Sequence, residues 1–306
     1  CPRSYVTGET QASAINFFAT HQKDFKLLTS LTELREWITG HEADIDRNPA
    51  AFCAVENALL NLYTASAGSS LESLLELKEL SGTFNYTAVL GARGESAFTQ
   101  QLEQYKQLSM TQFKIKLFAD METDQRNLNT FSAIIKKPKS IRFDANNCWE
   151  TSSQAIDYLQ RLTQPTMGIE EPLKAFDYAG CREIAAALKC RIILDESFLR
   201  LEHFSSIKFD PENWIINLRV SKMGGILRSL QIVERARQLS IPIIIGAQVG
   251  ETSLLSRSAL CIANTSKDIL LGQEGALGLY LLQHDLLDPP IMFGPHGVIR
   301  AEQISA

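Results

Sequence analysis

A parallel α/β barrel of the TIM type, behind a helical amino-terminal part, is the fold class this sequence predicts, and three observations predict it. Apolar runs that end in a charged or polar group recur at Phe113-Lys114-Ile115-Lys116, Ile141-Arg142-Phe143-Asp144, Met167-Gly168-Ile169-Glu170, Ile192-Ile193-Leu194-Asp195 and Ile215-Ile216-Asn217-Leu218-Arg219. Their ends, at residues 116, 144, 170, 195 and 219, are 28, 26, 25 and 24 residues apart, close to the length of one strand, one helix and two loops. Every period also sets an ionisable group at the same end, which in such a barrel is the active-site mouth. On a strand, alternate side chains share a face. Arg142, Asp144 and Asn146 therefore point inward, and Ile141 and Phe143 point outward.

The elements follow in order. Residues 3–10 read as a loop before a helix. Asn48-Pro49 supplies an N-cap and a first-turn proline for a helix that is apolar on most faces and so buried between layers. Gly68 ends that stretch, and Ser69 with Glu72 makes a capping box for the next. The chain is thus helical to about residue 82. Phe84 to Leu90 is the first barrel strand. Helices near 95–109, 124–137, 150–162, 177–189 and 197–205 then alternate with strands ending at 116, 144, 170, 195 and 219. Gly224-Gly225 opens a further helix, Ile241 to Gly246 is the seventh strand, and a helix near 252–264 leads to a last short strand at 268–271. The domain boundaries expected are 1–82 for a capping domain, 83–285 for the barrel, and 286–306 for a segment returning to the cap.

At 306 residues the chain holds a barrel of about 200–250 residues and a smaller domain. An apolar fraction of 45% is enough for a sizeable core, and no segment has the roughly 18 uninterrupted apolar residues of a membrane span. A net charge of −5, with dispersed basic residues, leaves no footprint for nucleic acid. Cys1, Cys53, Cys148, Cys181, Cys190 and Cys261 form no close pair and have no His neighbour. They read as free thiols in a reducing cytosol, and the expected location is cytoplasmic. The opening Cys1-Pro2-Arg3 has neither an initiator Met nor a signal pattern, so an upstream piece is expected.

Asp144, Glu170 and Asp195 end three consecutive strands and converge at one rim. Like charges that close repel strongly. A hard divalent cation relieves this, and an all-oxygen set with room for water and substrate suits Mg²⁺. The alternative for each acid is a helix cap or an ion pair with Arg142 or Arg191. Lys114 and Lys116 share the inner face of the preceding strand. An inward lysine is costly unless paired, and one with a depressed pKa is a good base. Its plain alternative is a salt bridge to Asp144 or Glu170.

Lys114-Ile115-Lys116, Asp144-Ala145-Asn146, Ile169-Glu170-Glu171-Pro172, Leu194-Asp195-Glu196-Ser197 and Lys222-Met223-Gly224-Gly225 together resemble the muconate-lactonizing subgroup of the enolase superfamily, over about residues 48–270. The resemblance implies a modified (β/α)7β barrel and a Mg²⁺ site at Asp144, Glu170 and Asp195. It also implies a small carboxylate substrate whose α-proton Lys116 removes, with Lys114 as electrostatic neighbour and an enediolate as intermediate. Symmetric oligomers are common in the family. Near the site under this reading are Asn146, Glu196 and Glu251 and, from the opening loop, Arg3, Tyr5 and Thr7. Glu251 is either a helix-start carboxylate or a substrate contact.

Three departures shape the expected reaction. The family's second catalytic lysine aligns with Arg219, whose guanidinium is a poor base; Lys222 lies three residues on, with the opposite strand parity. The Asp-x-Asp with which the family's dipeptide epimerases hold an ammonium is replaced by Gly272-Gln273-Glu274-Gly275, although Thr7-Gly8-Glu9-Thr10 resembles their specificity loop. The amino-terminal strands of the family's capping domain are not seen ahead of Cys1. One-base chemistry is therefore favoured, in a lyase or cycloisomerase like o-succinylbenzoate synthase or muconate cycloisomerase. The alternatives are a dipeptide or N-acyl amino acid epimerase and an inactive barrel with a binding role. The mandelate-racemase branch needs a histidine on the seventh strand, where none of the five falls.

Overall fold

The structure is a computed structural model that describes residues 2–162 and 164–304. A first strand, β1 (Thr83–Asn85), stands outside the barrel. Eight parallel strands then follow in chain order round one sheet: β2 (Ala88–Leu90), β3 (Gln112–Lys116), β4 (Ser140–Asp144), β5 (Gly168–Glu170), β6 (Arg191–Leu194), β7 (Trp214–Leu218), β8 (Ile243–Ile245) and β9 (Leu270–Gln273). A parallel bridge between Tyr86 and Gln273, with the Thr87 N–H donating to the Gln273 carbonyl at 2.7 Å, joins the last of these to the first. Helices occupy all seven connections between the eight strands, and the expected (β/α)7β barrel is what forms. A tenth strand, β10 (Val298–Arg300), returns to pair antiparallel with β1.

The expected single strand from Phe84 to Leu90 is broken in two. The Tyr86 N–H donates to the Gly297 carbonyl, and the next N–H, that of Thr87, donates to Gln273. The chain changes partners within two residues, from β10 to β9, so no one straight strand serves both. The opening loop holds a helical turn, Ser4–Thr7, closed by Gly8 at φ 76°. The strand ending in Asp144 also stops earlier than expected: Asn146 and Asn147 sit at φ 44° and 60°, a left-handed kink that asparagine tolerates better than most residues. Of the cysteines, those from Cys53 to Cys261 are free; Cys1 lies outside the described residues.

Helices between Ser4 and Leu74 precede the barrel. Pro49 does open the long helix Pro49–Ala67, but the Asn48 side chain makes no cap. Glu9, from far upstream, does so instead: its carboxylate accepts the N–H groups of Ala50 and Ala51 at 2.9 Å, where a helix start favours negative charge. The same device ties this part to the barrel. Glu56, fully buried, accepts the N–H groups of Ile226 and Leu227 at the start of helix Ile226–Gln238. Inside the barrel, Ile193, Ile215 and Ile244 form a small buried cluster with Met167 packed against it, each isoleucine contributing about 1.5–3 kcal/mol by burial.

Burial pushes the Glu56 carboxyl up to about 7 despite those two N–H donors. Its folded-state pKa is thus above the ordinary value of 4.5. The neutral form favours folding, so its stabilisation is complete below that value and is lost as pH rises through about 7. Glu56→Gln, neutral at every pH, is expected to lose less stability than the parent between pH 5 and 8. Urea midpoints at the two pH values read this, and equal slopes for the two proteins would count against it.

Candidate active site

The mouth is built by strand parity. In the parallel ladders Lys114 is level with Arg142, Lys116 with Asp144, and Asp144 with Glu170, so alternate positions on neighbouring strands deliver these groups into one interior. Glu170 and Asp195 are each 1% exposed, and Asp144 is buried with them. Gly246 makes room beside them: a Cβ there would lie 2.0 Å from Asn217 Oδ1 and 3.0 Å from Arg219 Cγ.

Side-chain cations bridge the three acids. Lys114 Nζ lies 3.5 Å from Asp144 and 3.3 Å from Glu170. Arg219 pairs closely with Asp195 and reaches 4.0 Å from Glu170. Glu170 also accepts from Asn217 Nδ2 at 2.8 Å. Burial raises its pKa above the ordinary value, with Lys114 opposing. Lys116 Nζ donates to Asn146 Oδ1 at 2.8 Å and lies 3.6 Å from Asp144, with about a third of its side chain exposed.

One expectation about the lysines needs correction, that of parity for Lys222, and one alternative is met. Lys114 makes the salt bridges to Asp144 and Glu170. Burial works against its charge, but Glu170, Glu274 and Asp144 together override it and hold the pKa above the ordinary range. The depressed lysine is Lys222, brought down to about 7 by burial and by Arg219. Strand parity does not govern Lys222, because the strand ends at Leu218 and the chain turns into the short helix Val220–Met223. Its ammonium is wholly enclosed, 2.8 Å from Asp195 Oδ1, 2.6 Å from the Asp195 carbonyl and 2.8 Å from the Asn217 carbonyl.

A cavity of about 130 Å³ opens at the mouth, with Lys114, Lys116, Asp144, Arg219, Glu251 and Glu274 among its walls. Asn146, Glu196 and Tyr5 also reach it. Thr7 does not line this cavity; its hydroxyl donates to the Arg3 carbonyl at 3.4 Å. Arg3 itself donates to the Val249 carbonyl at 2.6 Å, beside the mouth. Glu251 is no helix cap: the first N–H of helix Ser253–Thr265 goes to Asp285. Its carboxylate accepts from the Gln248 N–H at 2.7 Å and the Ser221 hydroxyl at 3.3 Å, and burial lifts its pKa to about 7. Glu196 is likewise pushed up to about 7, by burial and then by Glu171. Glu274 is engaged by Lys114 at 2.8 Å and by Arg142. Burial resists its charge, yet these two cations bring its carboxyl down to about 2.

Sequence reasoning missed three supporting residues. Asn217 shares the inward face with Arg219 two positions on, and parity alone was enough to find it. Gln248, which accepts from Arg219 at 3.2 Å, and Glu171, which accepts the Asp195 and Ser197 N–H groups at 2.6 and 2.7 Å, lie in loops without a period.

In kind, the donor set suits Mg²⁺: three hard carboxylates on consecutive strands, with the buried oxygens Asn217 Oδ1 and Glu196 Oε2 making no hydrogen bond among the described residues. In arrangement, the acids are held by the chain's own cations. Among the described residues, the tight trio of candidate ligand atoms is found elsewhere, at His21, Asp24 and His41. Arg219 and Lys222 each engage one oxygen of Asp195.

The comparisons with known proteins agree with this architecture. The chain is 26% identical over 219 residues to the L-Ala-D/L-Glu epimerase of Francisella tularensis subsp. novicida, covering 71% of this chain and 61% of that protein. It is 24% identical over 250 residues to the o-succinylbenzoate synthase of Bacillus subtilis, covering 80% and 64%. These matches span a little over three fifths of the relatives' own length. The fold superposes on a dipeptide epimerase from Cytophaga hutchinsonii, solved with Mg and the dipeptide D-Ala-L-Val, with a TM-score of 0.83 at 21% identity, over 98% of this chain and 80% of that one. The family model "Enolase C-terminal domain-like" matches residues 97–301, two thirds of the sequence, and the chain belongs to that family, within the enolase superfamily.

Proposed function

We propose that this chain removes the α-proton of a small carboxylate substrate, with Lys116 as the base and Mg²⁺ held by Asp144, Glu170 and Asp195. One observation carries the one-base form of the reading. Across the barrel from Lys116, the group that lines the mouth is the guanidinium of Arg219, and the neighbouring amine, Lys222, is sealed among three oxygen acceptors. When bound, Mg²⁺ supplies positive charge to the substrate carboxylate as the α-carbon loses its proton. Lys116, as the base, takes that proton, and the C–H electron pair moves toward the carboxylate. Arg219, always charged, stabilises developing negative charge on the far side. Lys116 then gives its proton to a departing β-group, or back to carbon, on the face from which it came. This favours elimination or cycloisomerisation.

The rest of the substrate has a place to go. A second cavity of about 980 Å³ shares Val89, Lys116, Asn146, Val249, Leu277 and Leu281 with the first, and among the described residues its charged walls are Arg93 and Lys116. Such walls suit an apolar or anionic remainder. Glu274, already occupied by two cations, is poorly placed to receive a substrate ammonium. The second reading, a dipeptide or N-acyl amino acid epimerase, is supported by the relatives' activities.

Solvent-deuterium exchange in D₂O, with and without Mg²⁺, over dipeptides, N-acyl amino acids and succinylbenzoate precursors tests both readings. The one-base reading expects Mg²⁺-dependent exchange with retained configuration, or elimination. Arg219→Lys is expected to add exchange with inversion by restoring an ordinary amine opposite Lys116, visible by chiral chromatography with mass spectrometry. Inverted product from the unaltered protein would set the one-base reading aside in favour of the epimerase.

A further inference from the structure

Outside the barrel, one group of side chains is arranged for a different task. His21, Asp24 and His41 each bring a ring nitrogen or carboxylate oxygen within 4.8 Å of the others. His21 and Asp24 are three residues apart near the end of helix Gln11–Phe25, so they share one face of it. His41 sits at the junction of helices Leu31–Gly40 and Glu42–Arg47.

His41 is oriented by a group that is not a ligand. His41 Nδ1 lies 2.8 Å from the Trp37 carbonyl. A carbonyl only accepts, so the proton sits on Nδ1 and the lone pair on Nε2. A backbone carbonyl holding the second ring nitrogen is the usual support of a metal-bound histidine. The His41 ring also stacks on Trp37, with centroids 4.1 Å apart and planes 9° from parallel. His21 packs edge-on against both rings, at 5.3 Å from each. Its two nitrogens stand 3.6 Å from Asp24 and 3.7 Å from Asp44, beyond hydrogen-bond length. The carboxylates thus approach the ring without bonding to it.

We propose that His21, Asp24 and His41 form a second metal site, for a borderline divalent transition metal such as Zn²⁺, with water completing the coordination. Two imidazoles with carboxylate suit Zn²⁺ and its neighbours, whereas Mg²⁺ and Ca²⁺ prefer oxygen alone. Tetrahedral bonds of about 2.0–2.2 Å place ligand atoms roughly 3.4 Å apart. Reaching that from 4.8 Å takes about 0.7 Å of movement per side chain, and Asp24 is half-exposed and free to supply it. The ion would staple the end of one helix to the junction of the next two, away from the mouth cavity, which none of these residues lines. Its competitor is a metal-free cluster in which a protonated His21 lies between two aspartates.

The test uses the full chain, stripped with chelator and then kept in excess Mg²⁺ so that the barrel acids are not the site measured. Zn²⁺ is titrated calorimetrically, Co²⁺ is followed by visible absorption, and Tm is read with and without Zn²⁺. The expected result is one saturable equivalent and a Zn²⁺-dependent rise in Tm. Both should be weakened at least about 100-fold in apparent affinity by His21→Gln, His41→Gln and Asp24→Asn, more than the loss of a supporting partner alone accounts for. The control His284→Gln should keep both. Asp24→Asn, on a half-exposed side chain, separates ligand loss from misfolding, with circular dichroism confirming the fold. Absence of saturable binding, or binding that survives all three substitutions, overturns the proposal.

Discussion

Replacing Lys116 with alanine is expected to lower Mg²⁺-dependent deuterium exchange by about 10²–10⁴-fold, the range in which a positioned general base contributes, with the fold intact. The reason for the intact fold is local. Lys116 is the partly exposed member of its strand, tied to Asn146 and 3.6 Å from Asp144, and the buried Asp144 keeps Lys114 at 3.5 Å when Lys116 is lost. The companion change Lys114→Ala has a different signature. That ammonium is the shared counter-charge of Asp144, Glu170 and Glu274, and its removal leaves buried carboxylates uncompensated and the protein destabilised. Single-turnover exchange together with urea unfolding separates the two. Full activity in Lys116→Ala ends the proposed mechanism.

Asp195→Asn is expected to cost about 3–5 kcal/mol of stability, the range for breaking a buried ion pair by removing one partner, and to abolish exchange at any Mg²⁺ concentration. Asp195 faces both Arg219 and Lys222, and Lys222 is completely enclosed. An amide there leaves an ammonium with only carbonyl acceptors. Because burial and Arg219 already bring Lys222 down to about 7, the variant should recover part of its loss above that pH as the lysine gives up its proton. Urea midpoints at pH 6 and 9, beside Mn²⁺ titration as a reporter of the divalent site, make the measurement. A loss below about 1 kcal/mol would mean that this pair is not what holds the strand ends together.

The barrel was legible because its signals are periodic. Parity put Lys114, Arg142, Asp144 and Glu170 on one inner face, and the ladder registers agree. Where the chain leaves regular structure, legibility fell. Lys222 escapes strand parity because the strand ends at Leu218 and a helical turn follows. Asn146 lies beyond its strand, which ends two residues earlier at Asp144. Glu9, read within a loop of the specificity type, is buried at the start of a helix some forty residues away.

By itself the sequence determined the order of the strands, the inward set of charges and the residue types available for proton transfer, since these depend on spacing and side-chain chemistry alone. Which cation meets which acid was decided only by the tertiary structure: Arg142 takes Glu274, Arg219 and Lys222 share Asp195, and His21 meets His41 across two helices. Such pairings depend on which side chains curvature and closure bring within a few ångströms, and a one-dimensional pattern carries no distance between groups far apart along the chain.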